Sequence, residues 1–545
     1  MDSHSPELHK SPSHRLPAIA ALGAAAVVVL AEAVYTVLRS ATIYDEGGYL
    51  YEGWLVCARG LRPYIDFHTK VTPLLYYFYG WPQAAFGPGM LVGRIEASLA
   101  SLLAMALLAW ALGRRYGISA AALTLAAFAM CLAGLDQHFR ALAIAPCALW
   151  IALGILGISF QPCRWAWMVT GLAAGLLFLS RQDLVAPAIM LIVMTAVAGK
   201  RARRGGYAAL VALAVVGIGL APFLSSSRAE VLAIASLGLL REPGPKLGPI
   251  PFAVTERLSL HNLPWYLEFL AKVYITPLVW LLAALVVVLT KPVARVLARH
   301  PVPVACLAVA ISNPVFRGLG ALATHRNAFY LRDFYIEMAL MAGAAAALTA
   351  AYRAAKPSQR QFVILAGVLG LLLAPPAMRV PASLRPHHPT ELQGIHEAGR
   401  FIASATTPDD RVFALEDPHV FLEAGRSLLP MLTHHLFLYR PQDTTEALHG
   451  TKSFNLEMLL DMLRHDATVA VITERGMTWI AHNERTTEGQ KVVTAVHDEL
   501  RRNWTQVAEA HNSFLGAVQV YRRLPQQPAG SSAGTPRATV SGSHP

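Results

Sequence analysis

The chain has 545 residues, of which 54% are apolar and only 15% charged, with a mean hydropathy of +0.42. That balance excludes an ordinary soluble domain and indicates a polytopic membrane protein. The formal charge of +12 would suit a nucleic-acid binder, but the placement of the charges excludes that class, as shown below.

Residues 1–15 are rich in Ser, Pro and His and read as a disordered amino terminus. Leu16 to Leu38 is the first apolar stretch long enough to cross a bilayer. Ala31-Glu32-Ala33 resembles a signal-peptidase site, but the apolar run continues past it, which favours a retained helix. Next comes a polar and aromatic stretch, residues 41–89, carrying Asp45, Glu46, Asp66, His68 and Lys70 among many tyrosines. Acids at the mouth of a membrane segment are costly to place and are functional candidates, although headgroups also solvate interfacial acids and tyrosines. Val71 to Gly87 is apolar and aromatic but short and proline-interrupted, which suits a helix lying at the interface.

Further apolar spans follow at about 90–112, 117–134, 139–160, 165–180, 184–199, 207–223, 269–290, 301–318, 328–351 and 361–376. Arg114-Arg115, Arg164, Lys200 to Arg204, Lys291 to Arg299 and Arg353 to Arg360 fall in every second connection, and these loops hold no Asp or Glu. The alternate loops hold Asp45, Glu46, Asp66, Asp136, Asp183, Glu230, Glu242 and Asp333. The positive-inside rule then puts the amino terminus in the cytoplasm and the acid-bearing loops outside, with about eleven crossings. The positive charge thus belongs to membrane topology, and no nucleic acid is expected. The five cysteines lack paired or metal-type spacing and read as packing residues.

After Pro376 charge and histidine return. Arg411 to Leu415, Thr468 to Thr473 and Ala517 to Tyr521 read as strands, and Glu391 to Ser404 and Val492 to Asn503 as amphipathic helices. Residues 377–524 are therefore expected to form an α/β domain outside the membrane, with no catalytic motif of its own, serving acceptor binding or structural support. Residues 525–545 are a Gly/Ser/Pro-rich tail. The expected fold class is a polytopic α-helical membrane module, residues 16–376, followed by that domain.

An ordered series of residues carries a resemblance. It runs Tyr44-Asp45-Glu46-Gly47-Gly48-Tyr49, Gly60, Pro63-Tyr64-Ile65-Asp66-Phe67, Lys70, Pro73-Leu74-Leu75-Tyr76-Tyr77, Phe86-Gly87 and Arg94. In order and spacing the series resembles the GT-C superfamily of membrane glycosyltransferases. Within it, the series is most similar to the branch of protein O-mannosyltransferases and the lipid A aminoarabinose transferase. The match covers roughly the first 200 residues; later spans agree mainly in topology.

The resemblance implies transfer of a sugar from a polyprenyl-phosphate carrier to a lipid, glycan or protein acceptor on the outer face, with inversion. The setting it implies is a bacterial inner membrane. It makes Asp45 the base, with Glu46 orienting the site or helping to hold a cation, and Asp136 the second acid. It places Lys70, Arg181, His325, Arg326 and Tyr330 as contacts of the donor and its phosphate, a task suited to charge-assisted hydrogen bonds. The residues themselves leave alternatives: Lys70 snorkelling to the headgroups, Asp136 capping a helix beside Arg140, and Arg181 neutralised by Asp183. No cofactor is required; Asp45, Glu46 and Asp136 would suit a hard divalent cation, and the metal stays open. The loop from Ser225 to Glu268 is expected to cover the site. Two other classes compete: a lipid-linked sugar flippase or transporter, and a non-catalytic membrane scaffold.

Overall fold

The structure is a computed structural model. It describes residues 15–39, 44–67, 69, 71–118, 120–122, 124–125, 139–161, 163, 165–224, 231, 301–323, 391–433, 439, 443–448, 453–483 and 487–524. Lys70, Asp136, His325, Arg326, Tyr330, the expected cover at 225–268 (apart from Val231) and the spans at 269–290, 328–351 and 361–376 lie outside the described residues.

The membrane part begins with α1 (Arg15–Arg39), α2 (Tyr44–Arg59), α3 (Leu74–Phe86) and α4 (Met90–Tyr116). It continues with α5 (Ile144–Ser159), α6 (Ala166–Ser180), α7 (Val185–Gly199), α8 (Ala202–Leu224) and α9 (Pro301–Ala323). Among the described residues four helices are long and apolar enough to cross a membrane: Ile19–Arg39, Met90–Tyr116, Gln182–Gly199 and Ala202–Leu224. Large apolar side chains such as Val27, Val34, Leu99, Leu210 and Ile218 remain exposed on them. In water that would be costly; in lipid it is the expected outer surface. Inward-facing residues of α1 and α4–α9 form one core, including Val29, Leu108, Ile151, Leu177, Leu191 and Cys306.

The stretch read as a long outer loop is mostly helical. Leu50, Tyr51, Trp54 and Leu55 form the buried stripe of α2. The helix ends at Gly60, whose φ of +71° is left-handed, and Leu61 N–H donates to the Leu55 carbonyl at 3.1 Å. A glycine at this position takes the left-handed backbone that ends a helix at no steric cost. α3 has 13 residues with Pro82 inside it, spans about 20 Å at 1.5 Å per residue, and exposes Trp81 and Phe86. Its length and outward aromatics suit an interfacial helix. α2 and α3 meet backbone to backbone: a Cβ on Gly53 would lie 2.8 Å from both the Tyr76 oxygen and the Gly80 nitrogen.

The carboxy-terminal unit opens with α10 (Glu391–Ala405), β1 (Val412–Phe413), α11 (Pro418–Ala424) and β2 (Val469–Thr473). α12 (Glu474–Asn483), α13 (Thr487–Asn503), β3 (Trp504–Asn512) and β4 (Gly516–Arg523) complete it. The sheet order is β1-β2-β4-β3, with β1 parallel to β2 and the other pairs antiparallel. β2 is buried on both faces. Val469 and Val471 join a core shared with α10, α11 and, continuously, α2–α4; Ala470 and Ile472 join a second core with α12 and α13. This alternation is the two-residue period of a strand sorted onto two faces. β3 escapes the sequence reading because it is an edge strand, with a buried residue at each end and mostly exposed polar positions between.

Candidate active site

The centre of the membrane part is a buried ion pair. Arg94 Nε donates to Glu46 Oε1 at 2.7 Å and one Arg94 Nη to Glu46 Oε2 at 2.8 Å, with neither side chain exposed. The fork is bidentate, the geometry for which guanidinium is suited and ammonium is not. The other Arg94 Nη donates to the Thr36 carbonyl at 3.1 Å, and Glu46 Oε1 also accepts the Ala141 N–H at 3.1 Å. One pair therefore joins the end of α1, the first turn of α2, the start of α4 and the chain entering α5. Tyr79 reinforces the junction by donating its hydroxyl to the Leu142 carbonyl at 2.6 Å.

This arrangement separates the two neighbouring acids. Both Glu46 oxygens are engaged, and its side chain orients the helix turn. Asp45, one residue earlier in the first turn of α2, is exposed. The junction thus presents an exposed carboxylate next to a residue held by Arg94 and the Ala141 N–H.

A second junction joins residues 62–67, Val71 and Thr72 to the α6–α7 turn and α8. Tyr64 adopts a left-handed φ of +68° although it is not glycine, and its hydroxyl donates to the Val71 carbonyl at 2.9 Å. Such backbone strain persists only where the surroundings over-determine it; here its ring sits edge-on to Phe223 at 5.3 Å. Asp66 closes the preceding turn by accepting the Arg62 N–H at 2.6 Å. Thr72 then donates its N–H to Gln182 Oε1 at 3.2 Å and its hydroxyl to the Phe178 carbonyl at 2.8 Å. The segment beside Lys70 is therefore held against the α6–α7 turn that carries Arg181. Arg181 itself is buried, with Nε between the two Asp183 oxygens at 3.0 and 3.2 Å, the neutralised-turn arrangement.

The carboxy-terminal unit reaches both helices of the Glu46–Arg94 junction. Glu423 Oε1 accepts the Met90 N–H at 2.6 Å, capping α4 from another part of the chain, while its Oε2 meets His396 Nδ1 at 2.9 Å. The buried Tyr51 hydroxyl accepts the Leu428 N–H at 2.6 Å and donates to the Arg426 carbonyl at 3.3 Å. Arg59, stacked on Trp54, donates to the Gly425 carbonyl at 3.3 Å. Behind this face lies a polar cluster. The Thr473 hydroxyl donates to Glu416, Arg475 meets Asp417 at 3.0 Å, and the Arg475 guanidinium lies 4.0 Å from the centre of the Phe514 ring. Burial pushes the Glu416 carboxyl up, and burial together with Glu416 pushes Asp417 up to about 7.

Among the described residues no group of three or more His, Cys, Asp or Glu stands where it could hold a metal ion. Of the site residues expected from sequence, Asp45, Glu46 and Arg181 are described, and each sits on a pinned turn. Sequence reasoning missed Arg94 as the partner of Glu46. The signal was present, since an arginine within an apolar span requires a partner. No comparable signal marked Tyr51 or Glu423 as ties to the carboxy-terminal unit.

These features define a mostly helical fold with helices of membrane-crossing length and an exposed acid at the start of α2, and that fold is similar to a solved one. The solved structure carrying this comparison is ArnT from Cupriavidus metallidurans bound to undecaprenyl phosphate. The two share 14% identity with a TM-score of 0.54, over 91% of this chain and 96% of that one. The apo state of the same protein is also similar, at 14% identity and a TM-score of 0.42 over the same shares. No protein-family model and no curated protein matches the sequence.

Proposed function

We propose that the protein is an integral-membrane glycosyltransferase that takes a sugar from a polyprenyl-phosphate carrier and passes it to a hydroxyl acceptor, inverting the anomeric centre. The observation that carries the reading is the exposed Asp45 on a turn locked by Glu46 and Arg94, within a fold shared with a transferase solved in complex with undecaprenyl phosphate. Asp45 takes the proton of the incoming hydroxyl, a role for which a carboxylate within hydrogen-bond reach suffices. Lys70, followed directly by the pinned Val71 and Thr72, steadies the departing phosphate, with His325, Arg326 and Tyr330 as further donor contacts and Asp136 as the second acid. Arg181, held by Asp183, braces the turn behind them. The amino terminus lies in the cytoplasm of a bacterial inner membrane, and the reaction occurs on the opposite face.

The test is transfer of label from polyprenyl-phosphate-sugars to acceptors in membranes, comparing the wild type with Asp45→Asn at equal amounts of folded protein. Removal of a general base is expected to slow transfer by about 100-fold or more. Full activity of Asp45→Asn would move the base elsewhere. Labelled carrier appearing on the opposite leaflet without any transfer would establish a flippase instead.

A further inference from the structure

His419 lies on α11 and is 1% exposed. Its ring sits on Gly47, two residues after Asp45: a Cβ placed on Gly47 would collide with Nδ1 and lie 2.6 Å from the ring Cγ. Neither ring nitrogen has a hydrogen-bond partner among the described residues. The ring thus acts on α2 by contact. Burial, then Arg475 and Arg94, push its pKa down to about 3, so it meets Gly47 as a neutral imidazole.

The contact is bracketed by fixed points. The helix bearing His419 is tied to α4 through Glu423 and Met90 N–H, and the chain just after it is tied to α2 through Leu428 N–H and Tyr51. On another side of the same turn, Glu46 is clamped by Arg94 and the Ala141 N–H. The first turn of α2 is therefore held between a salt bridge in the membrane part and a ring from the carboxy-terminal unit. A side chain at position 47 would break that fit, which accounts for a glycine inside a helix where it otherwise costs about 1 kcal/mol relative to alanine.

We propose that His419 is a positioning residue of the transfer reaction: it seats on Gly47 and fixes the direction of the Asp45 carboxylate. The proposal rests on the assignment of Asp45 above and makes the carboxy-terminal unit part of the site rather than an appendage.

The test is a set of variants of the full-length protein, compared at equal folded amounts. His419→Ala lowers kcat at least tenfold with the donor KM within twofold of wild type, whereas His419→Met, which refills the space without a ring nitrogen, recovers at least a third of the lost rate. Gly47→Ala is damaging alone but neutral or beneficial in the His419→Ala background, because the clash has been removed. His419→Ala adds nothing to Asp45→Asn. Wild-type kcat in His419→Ala, His419→Met as slow as His419→Ala, or an additive loss with Gly47→Ala or Asp45→Asn would each overturn the proposal.

A readout independent of transfer separates this proposal from the functional reading. Maleimide labelling of Asp45→Cys, followed by peptide mass spectrometry, changes rate at least threefold when His419→Ala is added, while labelling of Arg62→Cys does not. Equal rates at position 45 would overturn the seating of the turn even in a protein fully active in transfer. A changed rate in a protein without transferase activity would uphold the seating and refute the enzyme.

Discussion

Replacing Arg94 by Met tests whether the Glu46–Arg94 pair organises the membrane part. The substitution keeps most of the side-chain length but leaves a fully buried carboxylate without its counter-charge, beside the Ala141 N–H. Breaking such a pair from one side costs roughly 3–5 kcal/mol, because the remaining charge loses its compensation. Glu46→Leu should cost a similar amount by stranding the guanidinium. The double variant removes both charges at once, so no uncompensated charge stays buried. Its loss should therefore fall short of the sum of the single losses by about 2 kcal/mol or more, the sign of a coupled pair. Thermal unfolding in detergent, followed by tryptophan fluorescence, reads the effect. At about 1 °C per kcal/mol for a chain of this size, each single variant should melt at least about 3 °C lower. Additive single losses, within about 0.5 kcal/mol, would refute the treatment of the two side chains as one electrostatic unit.

Three other outcomes are expected. Tyr51→Phe strands the Leu428 N–H at a buried site, costing about 1–3 kcal/mol, and hydrogen exchange should rise at residues 426–429 well before it rises in α4. Gly53→Ala should destabilise by about 1–3 kcal/mol because α2 and α3 touch there, whereas Gly217→Ala, with nothing within 4 Å, should be neutral or stabilising; melting temperatures decide between them. The pH dependence carries two opposed contributions. The folded state raises the Asp417 pKa to about 7, so it binds more protons than the unfolded chain and loses stability as pH climbs from about 4 to 7. The His419 pKa is depressed to about 3, so its contribution is present above about 6.5 and lost as pH falls toward 3. Relative to wild type, Asp417→Asn should gain stability toward pH 7 and His419→Met should gain it toward pH 4; melting curves at several pH values give both signs.

Much of the membrane architecture could be read from hydropathy, because lipid forces length and apolarity into one local signal. The span expected at 16–38 is α1 at Arg15–Arg39, and that at 90–112 is the longer α4. The span expected at 139–160 contains the shorter α5 at Ile144–Ser159, while about eleven crossings is a count that extends into residues outside those described. The segment expected as a short helix at 71–87 is α3 at Leu74–Phe86. What could not be read was pairing over distance. Asp45 and Glu46 look alike in sequence, yet one is exposed and the other sealed against a residue 48 positions away. β3 was missed because its exposed positions carry polar side chains, so no apolar run marked it. The contact of His419 with Gly47 left no trace, since a histidine near a proline is commonplace.

The Tyr51–Leu428 hydrogen bond spans 377 positions and has a consequence for synthesis. At about 5–20 residues per second, α2 waits roughly 20–75 s after emerging before the chain that braces it is made. The Glu46–Arg94 pair can close early, because its partners lie 48 positions apart, but the far side of the same turn stays open until His419 and Leu428 have been made. A ribosome-bound intermediate would thus carry its reactive acid without the fixture that aims it. Under the proposed function, competence for transfer would arrive only once residues 419–428 are made, so chains interrupted before them would leave inert helices in the bilayer.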